Sequence, residues 1–205
     1  MTIRHWPLAV ALLAAVATPA ALRAQTPEDL PRVAVSVTAG VMRPLEAGVR
    51  SLYDGAFVPV TVEADVRVFG IFFVFGSGQF VSKDGEVVFD LPPAPEEHFP
   101  LRVRTSSVRV GGGVAVPWRK LLFTGAGGVS FTRFEEKWIG EDLPAATGHT
   151  RGFIVQGGAE YRVSRRFSAI GRVEYLHTPM DETRQVFPTF DLSGLSVAGG
   201  AAVRF

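Results

Sequence analysis

The chain has 205 residues, a net charge of +1 and no cysteine. The near-neutral charge gives no reason to expect nucleic-acid binding, and the absence of cysteine excludes disulfides, thiolate metal ligands and a lipid-modified cysteine anchor. Hydrophobic residues make up 47% of the chain, yet after the N-terminus no apolar stretch approaches the roughly 18–20 residues of a transmembrane helix.

Residues 1–24 are predicted to be a secretory signal peptide. They combine a short basic head, an apolar stretch over residues 7–17 and a small residue, Ala24, at the expected cleavage position. Cleavage after Ala20 and an uncleaved membrane anchor are the alternatives. The chain is therefore expected to be exported, with residues 25–205 forming one domain.

Beyond the signal, apolar and polar residues alternate with a period of two, which predicts strands. Eight segments show the pattern, and each is near the roughly 9–11 residues that a tilted strand needs to cross a bilayer. The predicted strands are residues 33–42, 59–68, 71–81, 106–116, 121–134, 152–163, 167–177 and 193–205.

The connections between these strands alternate between short and long. The short ones are Phe69-Gly70, residues 117–120 and residues 164–166; the long ones are residues 43–58, 82–105, 135–151 and 178–192. Short turns at one end and long loops at the other are typical of membrane barrels. The sequence therefore predicts an all-β fold, an eight-stranded antiparallel up-and-down transmembrane β-barrel with both termini at the short-turn end.

Alternation alone leaves open which face of the strands points outward, because a β-sandwich or a lipocalin-like barrel would bury the apolar face. The polar faces are rich in Gly, Ala and Ser, which favours a narrow lumen that side chains must fill. These faces also carry charges of both signs, which are predicted to pair across the lumen. The predicted luminal charges are Glu63, Asp65, Arg67, Arg109, Glu160, Arg162, Arg172, Glu174 and Arg204.

The predicted turn lengths place a glycine opposite two of the arginines, which would leave room for a long side chain. The predicted cross-strand neighbours are Gly158 with Arg172, Gly128 with Arg109 and, beside them, Gln156 with Glu174.

Aromatic residues fall near both ends of the predicted strands, as expected for the two interfaces of a membrane. The set near the short turns is Phe69, Trp118, Tyr161, Phe167 and Phe205; the set near the long loops is Phe80, Phe131, Phe153 and Tyr175.

The Gly-rich alternating strands, the hairpin "GGAEYRVSRRFSAIGRVEY" (157–175) and the final "VAGGAAVRF" (197–205) resemble a known family. They look like the eight-stranded outer-membrane barrels of the opacity-protein and outer-membrane-protein-A-like superfamily. The resemblance covers about residues 32–205, and it departs from the family in showing no peptidoglycan-binding domain.

The resemblance implies an outer-membrane location and several partners. It implies that Phe205, with Val203 before it, forms the signal read by the barrel-assembly machinery. Outer-membrane lipids and lipopolysaccharide are the other expected partners, the chain is expected to be a monomer without a cofactor or bound metal, and the ligand of the long loops stays open.

Three functions remain open from the sequence. The leading prediction is a non-enzymatic structural or surface-interaction protein whose lumen is plugged by charge pairs. The runner-up is a narrow channel for small solutes or apolar molecules. A lipid hydrolase or acyltransferase is the third, because a Ser-His-acid site can be drawn from His177, Ser193 and nearby acids, Asp181, Glu182 and Asp191, although no enzyme motif supports it.

Overall fold

The chain folds into one closed barrel of eight antiparallel strands in sequence order, with the last strand paired to the first. The computed structural model describes residues 32–53, 55–89, 97–140, 145–179 and 191–205, so the predicted signal peptide lies outside the described residues. The elements are β1 (Val33–Pro44), α1 (Ala47–Leu52), β2 (Val60–Phe69), β3 (Phe72–Phe89), β4 (Glu97–Trp118), β5 (Leu121–Trp138), β6 (Ala146–Arg162), β7 (Phe167–His177) and β8 (Gly194–Arg204). The predicted fold class is confirmed. Within the described ranges, no helix is long and apolar enough to cross a membrane.

The stagger of the strands fixes the size of the barrel. Following the paired residues from Val33 around all eight strands leads back to β1 at Arg43, ten residues further along. With ordinary strand spacings, this stagger gives a strand tilt of about 40° and a backbone radius of about 8 Å. Side chains from opposite walls can therefore touch.

The short connections share one end of the barrel, called here the turn end. Two of them are two-residue turns, Gly70-Ile71 and Arg119-Lys120, and the third covers residues 163–166. Gly70 and Arg119 have φ of 53° and 56°, in the left-handed region that tight hairpins require. The opposite end, where the long connections lie, is called the loop end.

The outer face of the barrel is apolar between two rings of aromatic side chains. The turn-end ring consists of Phe69, Phe72, Trp118, Phe123, Tyr161, Phe167 and Phe205, and the loop-end ring of Phe80, Phe131 and Phe153, all exposed, with the half-buried Tyr175. After correction for strand tilt, the rings lie about 21 Å apart, close to the roughly 25 Å apolar band of membrane barrels. All the aromatics predicted for the two rings belong to them.

Four strands extend far beyond the loop-end ring, which corrects the predicted loops at residues 82–105 and 135–151. β3 continues to Phe89, β4 begins at Glu97, β5 continues to Trp138 and β6 begins at Ala146. The reason lies in the alternation, which inverts at the ring. On β4, Val108 and Val110 face outward between the rings, whereas beyond the loop-end ring Leu101 and Val103 face inward and are buried. A prediction that assumes apolar residues on the outward face along the whole strand therefore ends these strands too early.

The inward face of this extension packs under a lid formed by α1 and Tyr53. The lid buries Val49 and Tyr53 in an apolar cluster that closes the loop end of the lumen. The other buried members are Met42, Phe57, Val81, Leu101, Val103 and Leu192. A Cβ on Gly85 would lie 2.5 Å from both the Leu52 carbonyl oxygen and Tyr53 Cδ1, so only glycine permits this close approach. The predicted loop 43–58 thus contains a helix.

The apolar band predicts a large penalty for charge on the outer face. Val37 lies outward near the middle of the band and is 53% exposed, and Val37→Arg should lower the free energy of unfolding in lipid vesicles by roughly 2–4 kcal/mol. Thr147→Arg is the control, because Thr147 is exposed on the same outer face beyond the loop-end ring. Equal penalties at the two sites in a urea titration would contradict a lipid-facing band.

Candidate functional site

The nine predicted luminal charges all lie on the inward face of described strands. Asp65, Arg67 and Arg162 are half-buried. The other six are buried: Glu63, Arg109, Glu160, Arg172, Glu174 and Arg204. The structure groups them into two layers, one near the middle of the barrel and one at the turn end.

Arg172 and Glu63 form the central ion pair, which joins β7 to β2. The Arg172 Nη2 atom lies 2.6 Å from Glu63 Oε1, and Nη1 lies 3.0 Å from Oε2, so the pair is bidentate. Gln156 Nε2 also donates to Glu63, at 3.3 Å. Gly158 stands opposite Arg172, as predicted, and Gln156 stands opposite Glu174.

Arg109 and Glu174 form a second pair beside the first, 3.2 Å apart, with Arg109 only 1% exposed. The two pairs are linked, because Arg172 Nη1 also lies 3.5 Å from Glu174 Oε1. Ser196 Oγ donates to the same carboxylate at 3.4 Å. The middle layer is therefore one connected network of two acids and two arginines.

The predicted register of Gly128 against Arg109 is wrong, because Arg109 stands opposite Ser130. The strands continue to the two-residue turn at Arg119-Lys120, which shifts the pairing by two residues from the prediction. Gly128 stands opposite Gly111 instead. A Cβ on Gly111 would lie 2.3 Å from the Gly127 carbonyl oxygen and 2.7 Å from the Phe75 ring, and a Cβ on Gly128 would lie 2.3 Å from the Val110 carbonyl oxygen. These glycines make room for backbone and an aromatic ring, not for an arginine.

The turn-end layer is built around Arg204 and Glu160, which join β8 to β6. The Arg204 Nε atom lies 2.5 Å from Glu160 Oε1, and its Nη2 binds the other carboxylate oxygen. Asp65 and Arg67 line the same small cavity, whose volume is about 40 Å³. This volume is enough for about three water molecules.

Sequence reasoning missed an apolar cluster inside the lumen. Phe73 and Phe75 on β3 point inward, where they pack with Ala115, Leu122, Ile154 and Leu176. The signal was the run "GIFFVFG" (70–76), which is apolar on both faces, so that some of its apolar side chains must point into the lumen. The inward aromatics and the ion pairs together fill the lumen.

His177 and Ser193 do meet at the loop end, but their geometry is unlike that of a catalytic triad. Ser193 Oγ donates to Asp191 Oδ1 at 2.5 Å and accepts from the Thr178 N–H at 2.8 Å, while His177 Nδ1 lies 3.1 Å away. In a triad the acid orients the histidine, whereas here it binds the serine. Ser193 is buried, and its hydroxyl ties the last long connection to the end of β7.

The residues predicted as an assembly signal lie on the outer face of the seam between β8 and β1. Phe205 is 72% exposed in the turn-end ring, and its N–H donates to the Val33 carbonyl at 2.9 Å. Val203 stands opposite Val35 on one side and Phe167 on the other. Their role in assembly stays a prediction.

The lid carries a hydrogen bond between two titratable groups beyond the loop-end ring. Tyr53 Oη donates to Glu136 Oε1 at 2.9 Å. Burial raises the pKa of Glu136, an effect that the hydrogen bond from Tyr53 opposes. Burial, and then the nearby Glu136 carboxylate, raise the pKa of Tyr53 far above its ordinary value. Both groups therefore favour their neutral forms when the lid is closed.

The fold is similar to that of several solved bacterial barrels. Ail, the attachment invasion locus protein of Yersinia pestis, in complex with the heparin analogue sucrose octasulfate, matches with a TM-score of 0.53 and 13% identity over 85% of this chain and 97% of that chain. Neisserial surface protein A matches with a TM-score of 0.60 and 11% identity over 84% and 97% of the two chains. A major outer membrane protein from Thermus thermophilus matches with a TM-score of 0.58 and 16% identity over 84% and 99%. At these identities the likeness shows the fold. No protein-family model matches the chain, and no curated protein matches it.

The central pair predicts strong coupling between two residues that are far apart in sequence. Glu63→Gln or Arg172→Gln alone leaves a buried charge without its partner, so each should cost roughly 3–5 kcal/mol of unfolding free energy. The double variant should cost less than the sum of the two, as measured by denaturant unfolding in detergent.

The exposed pair of Arg102 with Asp84 is the control for this cycle, because it is also bidentate, at 2.5 and 3.0 Å, but lies in solvent. Solvent screening predicts a much smaller effect for Asp84→Asn. A comparable loss in Asp84→Asn and Glu63→Gln would show that burial of the luminal pair does not matter.

The hydrogen-bonded Tyr53 and Glu136, both neutral in the closed lid, predict that the closed lid becomes less stable as pH rises. The pKa of Glu136 is raised above its ordinary 4.5 in the closed lid, so its contribution is complete below about pH 4.5 and is lost as pH rises through the raised pKa. Tyr53 adds a second loss above about pH 10. Hydrogen-exchange protection of residues 47–53 should fall in both ranges.

Glu136→Gln should abolish the loss of hydrogen-exchange protection that begins above about pH 4.5 and keep the loss above about pH 10. Tyr53→Phe should abolish the loss above about pH 10. Protection that follows the same pH curve in wild type and Glu136→Gln would contradict this assignment.

Proposed function

We propose that this protein is a closed outer-membrane barrel that serves as a structural anchor and presents a surface outside the cell. The observation that carries the proposal is the lumen, which is filled by buried, interlocking ion pairs. The membrane location is supported by the apolar band between the aromatic rings and by the likeness of the fold to solved outer-membrane barrels.

Two closures in series support a barrel that does not conduct. The luminal layers join β2, β4, β6, β7 and β8 through charge pairs, across a backbone radius of only about 8 Å. At the loop end, the lid covers the lumen with an apolar cluster that is centred on Tyr53 and Phe57. An ion would have to break the first closure and pass the apolar constriction of the second. The same closures argue against the narrow-channel alternative.

The extension of β3–β6 beyond the loop-end ring supports the surface role. Its outward face carries Asp84, Arg102, Arg104, Glu135 and Lys137, a mixture of signs that suits contact with water and polar partners. The structurally similar Ail is an attachment invasion locus protein, which favours surface interaction over catalysis. Among the described residues the enzyme alternative has less support, because Asp191 binds Ser193 and not His177. The other two acids predicted for that site, Asp181 and Glu182, lie outside the described residues.

Planar-bilayer recordings test the two closures. Wild type should show no steady current. A luminal variant, Glu63→Ala with Arg172→Ala, keeps the lid, and a lid variant, Tyr53→Ala with Phe57→Ala, keeps the luminal pairs. Each alone should stay near the wild-type baseline, while the combined variant should conduct.

Circular dichroism and the heat-dependent shift in gel migration check that each variant is folded. A steady current through the wild-type barrel would overturn the closed-lumen proposal and favour the channel.

A further inference from the structure

Three arginines form a row on the outer face of the barrel: Arg104 on β4, Arg133 on β5 and Arg151 on β6, called here the arginine row. All three are exposed. Ser106 stands opposite Arg133, and Phe131 stands opposite Arg151, so each arginine is the diagonal neighbour of the next. Diagonal neighbours on one face of a sheet lie about 7–8 Å apart. The row is therefore a compact patch of positive charge across three strands.

The row lies at one level, just beyond the loop-end ring. Ten residues of stagger are spread over eight strands. From one strand to the next, a plane perpendicular to the barrel axis therefore shifts by about 1.25 residues relative to the directly paired residues. With that correction, the three arginines lie roughly 4–8 Å beyond the ring that contains Phe80 and Phe131. The headgroup region of a bilayer is about 5–8 Å thick on each side. The Arg151 guanidinium also lies 5.9 Å from the centre of the Phe131 ring, which ties the row to the aromatic ring.

The row carries an excess of positive charge at this level. Among the described acids of the outward face, Asp84 is bound by Arg102, and Glu86 lies further from the membrane. Glu135 stands opposite Arg104, whereas no described acid stands opposite Arg133 or Arg151. Neighbouring like charges repel, so an anionic ligand would stabilise the row.

Two open grooves flank Arg133, and each changes from apolar to basic along its length. One has a volume of about 860 Å³ and is lined by Val108 and Phe131 on the membrane side and by Arg133 and Arg151 beyond them. The other, of about 510 Å³, has Val58, Val60 and Phe80 on the membrane side and Arg104, Arg133 and one acid, Glu135, beyond. A ligand that fits both parts combines hydrocarbon chains with anionic groups at the headgroup level.

We propose that the arginine row binds the phosphate groups of a phosphorylated glycolipid of the outer leaflet, the lipid A portion of lipopolysaccharide. The planar guanidinium of arginine binds phosphate oxygens in pairs, and the apolar part of each groove accepts acyl chains. A soluble polyanion would satisfy the arginines but leave the apolar lining unused. The inference rests on the proposed outer-membrane location.

The test uses residues 25–205 refolded in zwitterionic detergent and titrated with bisphosphorylated lipid A. The row variant is Arg104→Gln, Arg133→Gln and Arg151→Gln together. The matched control is Arg119→Gln, Arg165→Gln and Arg166→Gln, which removes the same charge from exposed turns at the opposite end of the barrel.

Wild type and the control should bind with equal affinity, and the row variant roughly tenfold or more weakly. Dephosphorylated lipid A should bind wild type as weakly as the row variant binds the phosphorylated form. Replacing the three arginines by lysine should restore only part of the affinity, because lysine keeps the charge without the paired geometry.

Equal affinity of wild type and row variant, or an equal loss in the control, would overturn the inference. Full displacement of lipid A by inorganic phosphate or by a sulfated sugar would overturn it in favour of a soluble-anion site. If the row variant does not fold, Arg133→Gln alone replaces it, since Arg133 lines both grooves, and unchanged affinity in that variant counts against the inference. Conductance reports on the lumen and not on the row, so a closed barrel that does not bind lipid A overturns this inference alone.

Discussion

The narrowness of the barrel is the constraint on which the rest of the structure depends. Eight strands with a stagger of ten residues leave a backbone radius of about 8 Å, so inward side chains of opposite walls can touch. The sheet must also curve tightly. A Cβ on Gly200 would lie 2.0 Å from the Val37 carbonyl oxygen, and one on Gly113 would lie 2.3 Å from that of Gly125. These contacts lie at the β8–β1 and β4–β5 seams, on opposite sides of the eight-strand circle. Glycine thus stands where neighbouring backbones approach too closely for a Cβ.

Narrowness also explains why the luminal charges are paired. A buried ion pair adds little net stability over a well-packed apolar core, but a lone buried charge is costly. We therefore expect the pairs to act mainly by specifying the register of the strands. Arg172 with Glu63 and Arg204 with Glu160 join strands that are not neighbours in the barrel. A slip of one residue in a strand that carries luminal charges, such as β2, β4, β6, β7 or β8, would turn those charges toward lipid. The correct register is therefore the arrangement in which the charges find partners inside.

The sequence predicts what depends on local pattern, namely the eight strands, their order and the polar lumen. Prediction from the sequence fails where one stretch fits two structures equally well. The alternation does not predict Phe75 inside, because its strand is apolar on both faces. The predicted partner of Arg109 is wrong by two residues because Pro117 and Trp118 fit a turn by composition, although they continue β4. The lid could not be predicted, since a six-residue helix is stabilised by the cluster beneath it and not by its own sequence.

The inversion of the alternation carries the most information about the surroundings of the barrel. On four adjacent strands the first polar outward residue beyond the apolar band is Ser82, Ser106, Arg133 and Arg151. The cross-strand partners of Ser82, followed from strand to strand, lead to Thr147 on β6. The polar boundary on β6 is at Arg151, so it is shifted by four residues from this line of partners. The stagger of the barrel predicts a shift of about 3.75 residues over three strands for a boundary perpendicular to the barrel axis. The chemistry of the outer face therefore changes along a flat plane that cuts across the tilted strands. A barrel surrounded by water has no such plane, whereas a bilayer imposes one, and the arginine row lies on its polar side.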